Sequence, residues 1–173
     1  MTETELQTAF EEHGDTVYRF VWRMMNSLEV AEDVTQEVFV TLLRRPDAYQ
    51  PGRGSLPAFL IGIARHLVLK RWRDERSWEP LDDEGFVAEP VDFDKGETVQ
   101  IVAEAIQKLP PLQREALVLA QYEELSMAEI ARAVDCEVGT VKARLVRARE
   151  NLRRMLRHLK ETPEVRSNHG TVK

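Results

Sequence analysis

The hydrophobic pattern of the N-terminal half predicts a succession of helices. Apolar residues recur at three- and four-residue intervals through residues 17–24 and again through 30–42, which is the spacing of a helix with one buried face. Residues 46–55 interrupt this pattern with two prolines and two glycines. One long helix is then predicted over residues 56–76, with Ser55 as its N-cap. Since no stretch alternates between apolar and polar positions as a strand does, the pattern predicts an all-α fold.

The C-terminal half predicts shorter helices that end in a helix-turn-helix. Residues 99–106 are amphipathic, and "PPLQREALVLAQY" opens a second helix with prolines at its start. The segments "SMAEIARAV", "DCE" and "VGTVKARLVRARENLRRML" then predict a short helix, a tight turn and a basic helix. Ser126 and Glu129 have the spacing of a capping box at the start of the short helix. This order is typical of a DNA-binding helix-turn-helix, although many helical hairpins share it.

An acidic segment separates the two periodic regions. Residues 79–97, "EPLDDEGFVAEPVDFDKGE", contain eight acidic residues and one lysine together with two prolines and two glycines. This composition is typical of an exposed, flexible linker. We therefore predict two small helical domains, at residues 1–78 and 98–160, which this linker joins. Residues 161–173 form a tail without periodicity, to which we assign no role.

Positive charge is concentrated in the last predicted helix, although the whole chain has a formal net charge of −6. From Lys142 to Lys160 there are eight basic residues and a single acid, Glu150. At about 100° per residue, the predicted buried stripe consists of Val141, Leu145, Ala148, Leu152, Met155 and Leu159. Opposite this stripe lie Lys142, Ala143, Val146 and Arg147, flanked by Arg149 and Arg153, with Arg144 nearer the stripe's edge.

This one-sided charge favours DNA over solvent as the partner of the helix. A solvated helix face usually mixes positive and negative residues, whereas this face is almost entirely positive. The cations would neutralise phosphates and release counterions, and the first helical turn would reach base edges in the major groove.

The sequence offers little for catalysis, metal binding or membrane insertion. With one cysteine, Cys136, and four histidines that stand far apart, neither a disulfide nor a metal site is predicted. There is no glycine-rich phosphate loop and no nucleophile elbow, so we expect no enzyme activity and no cofactor. The first ten residues lack the pattern of a signal peptide, and the longest apolar run, residues 56–64, is far shorter than the roughly 20 residues that span a bilayer. We expect a cytoplasmic protein without membrane insertion.

Four blocks of the chain together resemble one protein family. They are "AEDVTQEVF", "GSLPAFLIGIAR", "LPPLQREALVLAQYEELSMAEIA" and "VGTVKARLVRARE". They occur in the family's order, which makes the resemblance highly specific. The family is the extracytoplasmic-function (ECF) sigma factors, the small promoter-recognition subunits of bacterial RNA polymerase. The resemblance implies a sigma factor that performs no covalent chemistry, binds core RNA polymerase, directs it to a class of promoters and helps to open the DNA.

The resemblance assigns the helix-turn-helix to the minus-thirty-five promoter element. The residues that it places on this DNA are Thr140, Lys142, Ala143, Arg144, Val146, Arg147, Arg149 and Arg153. The face found from helical geometry agrees with this assignment. Ala143 stands where the family usually has serine, so one hydroxyl hydrogen bond to DNA is missing.

The resemblance assigns the "QPGRGS" loop and the following helix to recognition and melting of the minus-ten element. Melting requires a pocket for an unstacked base and a basic, aromatic surface for the exposed strand. The residues so assigned are Arg53, Ser55, Phe59, Arg65, His66, Lys70, Arg71, Trp72, Arg73 and Arg76. Phe59 stands where the family commonly has tryptophan, and His66 stands where it commonly has asparagine, at the site that reads the flipped base. From the residues alone, these cations are equally typical of a basic helix end that stabilises the helix dipole.

Docking on core polymerase is implied for the "AEDVTQEVF" block, with Asp33, Gln36, Glu37 and Phe39 as contacts. From the residues alone, the block is better interpreted as an ordinary amphipathic helix with an acidic first turn. The resemblance implies that the acidic linker threads the polymerase near the RNA exit path, whereas the residues alone are as typical of a solvating tether.

The implied partners are core RNA polymerase, promoter DNA as duplex and as melted single strand, and an anti-sigma factor, which no residue of the chain identifies. The residues alone leave two other functions open. One is a helix-turn-helix regulator that binds its operator without polymerase. The other is a helical adaptor that binds only proteins and uses the basic helix as its partner surface.

Overall fold

The computed structural model describes residues 1–75, 85–93, 96–121 and 125–160 of the chain. Every regular element in these ranges is helical, which confirms the predicted all-α fold. The N-terminal domain contains α1 (Glu3–Met25), α2 (Leu28–Arg44) and α3 (Leu56–Glu75), and the C-terminal domain contains α4 (Thr98–Gln107), α5 (Pro111–Leu119), α6 (Met127–Ala133), α7 (Val138–Met155) and α8 (Arg157–Lys160). Two short 3-10 turns, Pro46–Ala48 and Pro51–Arg53, occupy the proline- and glycine-containing break between α2 and α3.

The first two helices form a hairpin because a two-residue turn caps both of them. Asn26 ends α1 in the left-handed conformation, with φ of 51°, which asparagine adopts more readily than most residues. The Ser27 hydroxyl then accepts a hydrogen bond from the Val30 backbone N–H at 3.2 Å and starts α2. The hairpin packs against α3 around the fully buried Phe20 and Leu60.

The start of α3 is set by its own sequence and by the approach of the C-terminal domain. Ser55 is the N-cap, as predicted, since its hydroxyl accepts a hydrogen bond from the Ala58 N–H at 3.4 Å. Gly54 has φ of 153°, which side-chain-bearing residues rarely adopt. A Cβ added there would lie 3.1 Å from Nη1 of Arg132 on α6. Glycine at this position therefore serves both the loop's backbone and a close contact between domains.

The predicted helix-turn-helix is formed by α6, a tight turn and α7. The capping box at the start of α6 is complete, because the Glu129 N–H donates to the Ser126 hydroxyl at 3.1 Å and the Ser126 N–H donates to the Glu129 carboxylate at 3.2 Å. In the turn, Asp135 is left-handed with φ of 55°, and the Cys136 N–H donates to the Ala131 carbonyl at 2.9 Å. These local bonds reverse the chain just before α7 begins.

The buried face of α7 agrees with the predicted stripe except at its end. The buried members are Val141, Leu145, Ala148 and Met155, and Leu152 is half-buried. The prediction for Leu159 is wrong, since this side chain is 37% exposed. The reason is that α7 ends at Met155 and Leu159 belongs to the separate short helix α8, so one continuous periodicity does not apply.

The described part of the acidic linker is attached to the C-terminal domain. Most of residues 85–93 is exposed, but Ala88 is buried and its N–H donates to the Asn151 side-chain oxygen at 3.0 Å. The Val91 N–H donates to the Met155 carbonyl at 3.2 Å. Apolar residues within an acidic segment thus hold this stretch along α7.

The two domains pack against each other. Helix α1 contacts α4 and α5, and α3 contacts α6. Val118 and Ile130 of the C-terminal domain belong to the same buried cluster as Phe20 and Leu60 of the N-terminal domain. A second, smaller cluster around Leu109 and Met155 lies within the C-terminal domain and its linker. A large part of the apolar core is therefore shared across the domain boundary.

Candidate nucleic-acid interface

The outward face of α7 carries the positive charge that the sequence analysis predicts for it. Lys142, Arg149 and Arg153 are exposed, and Arg147 is half-buried. Val146 is 62% exposed and suits contact with a thymine methyl group. Thr140 and Ala143, in the first two turns, are half-buried. The face therefore combines cations for phosphates with small and apolar groups for base edges.

Arg144 differs from the other cations of α7. It is half-buried, and its Nη1 lies 3.6 Å from the sulfur of Cys136 in the preceding turn. Burial raises the pKa of the Cys136 thiol, and the nearby positive charge of Arg144 opposes that rise. Arg144 thus supports the turn that orients α7.

The residues assigned to the minus-ten element divide into an exposed and a covered group. Those with exposed side chains are Arg53, His66, Lys70 and Arg73. Those that are half-buried are Ser55, Phe59, Arg65, Arg71 and Trp72. Arg76 lies outside the described residues. The exposed cations form a basic surface along α3. The half-buried residues are partly covered by other elements of the fold.

A cavity of about 570 Å³ lies between the loop before α3, helix α3 and helix α6. Tyr49 and Phe59 form one wall, with their ring centroids 5.5 Å apart and their planes at 46°. His66 contributes from α3, while Glu129 and Arg132 close the cavity from the C-terminal domain. Both domains therefore build the space in which aromatic and polar groups of the region assigned to the minus-ten element meet.

Arg65 is covered because it is paired with a buried carboxylate of the other domain. Its Nε donates to Oε2 of Glu115 on α5 at 2.9 Å. The Glu115 side chain is 1% exposed, and its Oε1 accepts no hydrogen bond from the described part of the chain. Burial raises the pKa of Glu115, and the Arg65 charge partly offsets that rise. The pair thus joins Arg65, a predicted DNA-binding residue, to Glu115, which the sequence analysis did not identify as a functional residue.

Trp72 is covered by Arg114, which is the neighbour of Glu115 on α5. The guanidinium carbon of Arg114 lies 4.9 Å from the centre of the Trp72 ring. Its Nη1 donates to the Met24 carbonyl at the end of α1 at 2.7 Å, and its Nη2 donates to the Leu109 carbonyl at 2.9 Å. A cation near unpaired carbonyls at a helix C-terminus is favourable. The C-terminal domain thus contacts two of the predicted melting residues directly.

The residues assigned to polymerase docking lie on α2, but not all on the same face. Asp33, Gln36 and Glu37 are exposed. Phe39 is 6% exposed and packs edge-on against Phe10 of α1, with ring centroids 5.0 Å apart. In this arrangement Phe39 supports the hairpin from inside, while the three polar residues face solvent.

The described ranges contain neither a metal cluster nor a membrane-spanning candidate. No three His, Cys, Asp or Glu side chains within these ranges come together as metal ligands would. Likewise, none of the described helices is both long and apolar enough to cross a bilayer.

Comparison with known proteins identifies both domains. Residues 9–78 match the family model for Sigma-70 region 2, and residues 100–152 match the model for Sigma-70, region 4. EcfG, an ECF RNA polymerase sigma factor of Rhodopseudomonas palustris, is 35% identical over 79% of this chain and 77% of its own length. SigW of Bacillus subtilis is 32% identical over 85% and 86%. SigE of Mycolicibacterium smegmatis is 33% identical over 88% of this chain, which spans 62% of that relative's length.

Solved structures show the same fold. The sigma factor RpoE of Bartonella quintana, solved with the anti-sigma factor NepR, covers 92% of this chain with a TM-score of 0.70 and 22% identity, and 98% of that chain is covered. CnrH, solved with the cytosolic domain of CnrY, covers 94% with a TM-score of 0.66 and 20% identity, and 91% of that chain is covered. Because the chain matches region 2 and region 4, and relatives above 30% identity over more than two thirds of their length, it belongs to the ECF sigma factors of the sigma-70 family.

Proposed function

We propose that this protein binds core RNA polymerase, directs it to one class of promoters and assists in opening the DNA, without catalysing any reaction itself. The observation that carries the proposal is the exposed basic face of α7, which a helix-turn-helix presents in a chain that matches both sigma-70 regions. The proposed site of action is the cytoplasm, where RNA polymerase works.

The two domains have separate functions, and their boundaries are those that the sequence predicts. Residues 1–78 bind core polymerase and recognise and melt the minus-ten element, and residues 98–160 recognise the minus-thirty-five element. Residues 79–97 link them, and residues 161–173 are a tail without an assigned role. The hydrogen bonds from residues 88 and 91 to α7 support a linker that travels with the C-terminal domain.

Upstream recognition is assigned to the outward face of α7. Lys142 and Arg147 lie where a helix in the major groove meets base edges, and Val146 supplies apolar contact. Arg149 and Arg153 contact phosphates on either side. Arg144 acts on the protein side, because it is half-buried against Cys136.

Minus-ten recognition is assigned to α3 and the loop before it. The exposed cations Lys70 and Arg73 attract the displaced strand. His66 lies beside the aromatic wall of the cavity, and this wall suits stacking with an unstacked base once α6 no longer closes the cavity. Arg65 and Trp72 belong to the same surface, but they meet DNA only after the C-terminal domain moves away.

Docking on core polymerase is assigned to the acidic face of α2. Asp33 and Glu37 are exposed, one helical turn apart, with Gln36 beside them. Phe39 holds the face in place through its contact with Phe10 rather than by touching the polymerase. An anti-sigma factor is a further proposed partner, since a solved sigma factor of this fold was captured with such a protein.

A gel shift separates this function from that of a regulator that acts without polymerase. Labelled genomic fragments are incubated with the purified chain, with core polymerase, and with both. A sigma factor gives a specific, salt-sensitive complex only when both are present. A specific complex with the chain alone would favour the operator-binding regulator, and no DNA complex under any condition would favour the protein-binding adaptor.

A further inference from the structure

We propose that the cavity between the two domains binds a small planar aromatic anion. The cavity measures about 570 Å³ and is enclosed by the loop before α3, α3 itself and α6. Protein interiors are close-packed, so a space of this size is far larger than a packing defect. Its volume lies within the range of small-molecule sites, which often form where two domains meet. The cavity is therefore a candidate site for a ligand other than DNA.

One wall of the cavity is aromatic and is fixed by a hydrogen bond. The ring centroids of Tyr49 and Phe59 lie 5.5 Å apart, with the ring planes at 46°. The Tyr49 hydroxyl donates to the Gly54 carbonyl at 3.4 Å, which holds this ring against the loop. Ile63 and Leu67 of α3 add aliphatic surface to the cavity. Because aromatic rings stack on such a wall, the body of the ligand is planar and apolar.

Two cations of the cavity select a negative group on the ligand. Arg53 and Arg132 line the cavity with exposed side chains, and neither pairs with a carboxylate in the described part of the chain. The Arg132 Nη1 lies 3.1 Å from the position of a Cβ on Gly54, so its guanidinium lies beside the loop that carries Arg53. Among the described lining residues the acid is Glu129, whose Oε2 accepts a hydrogen bond from the Ser126 N–H at 3.2 Å. The two cations outnumber it, and guanidinium groups bind carboxylates and phosphates through charge-assisted hydrogen bonds.

Gly62 leaves the cavity open on the side of α3. It lies in the interior of this helix, where glycine is less favourable than alanine. A Cβ on Gly62 would meet the Ala133 carbonyl at 3.9 Å, which is an ordinary contact, and the backbone there has no positive φ. Neither crowding nor backbone conformation therefore requires glycine at residue 62. Because Gly62 lines the cavity, a large side chain there would fill the space.

A planar ring system with an acidic group occurs both in free aromatic acids and in mononucleotides, and a titration separates these two sources. Four probes are added to the isotope-labelled full chain: 2-naphthoate, its neutral analogue 2-naphthamide, the saturated acid cyclohexanecarboxylate, and adenosine monophosphate. For 2-naphthoate we expect saturable shifts of the Phe59 and Gly62 amide signals, with a dissociation constant of about 1 mM or tighter for a ligand of this size. The amide and the saturated acid should bind at least about threefold more weakly.

The order of affinities identifies the source of the ligand. Tighter binding of adenosine monophosphate than of 2-naphthoate would support a mononucleotide, and the reverse order would support a free aromatic acid. If neither probe gives saturable shifts at the cavity, the proposal is overturned. Equal affinities for 2-naphthoate and 2-naphthamide would overturn the selection of an anion.

Substitutions place the binding in the cavity. Gly62→Leu should weaken 2-naphthoate binding at least about tenfold, because the new side chain occupies the space. Gly139→Leu, the same change in α7 at a glycine with open space around it, is the matched control and should leave the affinity unchanged. Equal affinities for these two chains would overturn the proposal.

A second variant tests the cations independently of the filled cavity. Arg53→Gln with Arg132→Gln should weaken 2-naphthoate at least about threefold and leave 2-naphthamide unchanged. Both side chains are exposed, so the fold should persist, and this pair decides by itself should Gly62→Leu fail to fold. Unchanged 2-naphthoate affinity in the double variant would overturn the role of the two arginines.

The ligand also opposes initiation, a step that rests on the proposed function. That function assigns the two domains to separate promoter elements, so a cavity that both domains build is lost once each has bound its element. By mass action, 2-naphthoate at ten times its dissociation constant should favour the unbound chain by up to about elevenfold. At limiting concentrations of the chain, it should therefore lower run-off transcription, and Gly62→Leu should remove the response.

Transcription separates the failure of this step from the failure of the proposed function. An unchanged yield from a chain whose binding of 2-naphthoate has been verified would overturn the regulation, as would an equal response of the Gly62→Leu chain. Absence of transcription without any ligand would overturn the proposed function and leave the binding site standing.

Discussion

Asn151 donates a hydrogen bond to Gln113 at 2.9 Å inside the C-terminal domain and accepts one from the Ala88 N–H at 3.0 Å. One buried amide thereby joins α7, α5 and the described part of the linker. These two hydrogen bonds explain why part of the linker, whose composition is typical of a flexible tether, lies along the C-terminal domain.

Replacement of Asn151 by alanine should lower the free energy of unfolding by about 1 to 3 kcal/mol, because it removes the hydrogen bond of the buried Ala88 N–H and one hydrogen bond of the buried Gln113 side chain. Hydrogen exchange at the Ala88 amide should accelerate at the same time. Denaturant unfolding and exchange mass spectrometry measure the two effects. Gln100→Ala, on an exposed position of α4, is the control. Unchanged exchange at residue 88 would mean that Asn151 does not hold the linker.

Reversal of charge on α2 should weaken holoenzyme assembly. Asp33→Lys with Glu37→Lys removes the exposed acidic face while the fold persists, since neither side chain is buried. Circular dichroism checks the fold, and binding to core polymerase is measured by fluorescence anisotropy. The control pair Asp15→Lys and Glu104→Lys changes the net charge equally at exposed positions elsewhere. Equal affinities for both pairs would exclude α2 as the docking site.

The features that sequence could predict are local ones. The Ser126–Glu129 capping box, the Ser55 cap and the buried face of α7 depend on residues within one or two helical turns, and the structure contains all three, except that Leu159 does not belong to the buried face. Periodicity identifies the buried face of a helix but not the helix that covers it. Periodicity therefore could not predict the contact of Arg65 with Glu115.

The burial of polar residues in helix α5 is a second feature that the sequence analysis did not predict. Gln113, Arg114 and Glu115 in α5 have the composition of a solvated turn, yet all three are buried because partners elsewhere in the fold satisfy most of their polar atoms. Three consecutive residues cannot all lie on one exposed face of a helix. This pattern was the signal in the sequence that could have indicated their burial.

Arg147→Ala should cost about 1 to 3 kcal/mol in holoenzyme binding to the upstream element and should relax base preference at one position. The measurement is competitive binding to a library randomised over that element. Arg157→Ala, on the separate helix α8, is the control and should leave preference unchanged. A uniform loss across all sequences would instead make Arg147 a phosphate contact.

His66→Asn should change base preference at one position of the minus-ten element and leave core binding unaffected. His66 is exposed beside the aromatic cavity, and a carboxamide presents its donor and acceptor side by side, whereas a neutral imidazole presents them on opposite sides of a ring. Open-complex formation on a randomised minus-ten library measures the preference. Identical preferences for both proteins would show that His66 does not read the base.

Run-off transcription with purified core polymerase on a genomic promoter library tests the central claim most directly. The account predicts discrete transcripts that require both the chain and core polymerase and that start downstream of a shared pair of sequence elements. Transcripts that are the same with and without the chain, or none in the presence of a holoenzyme whose assembly has been verified, would contradict it.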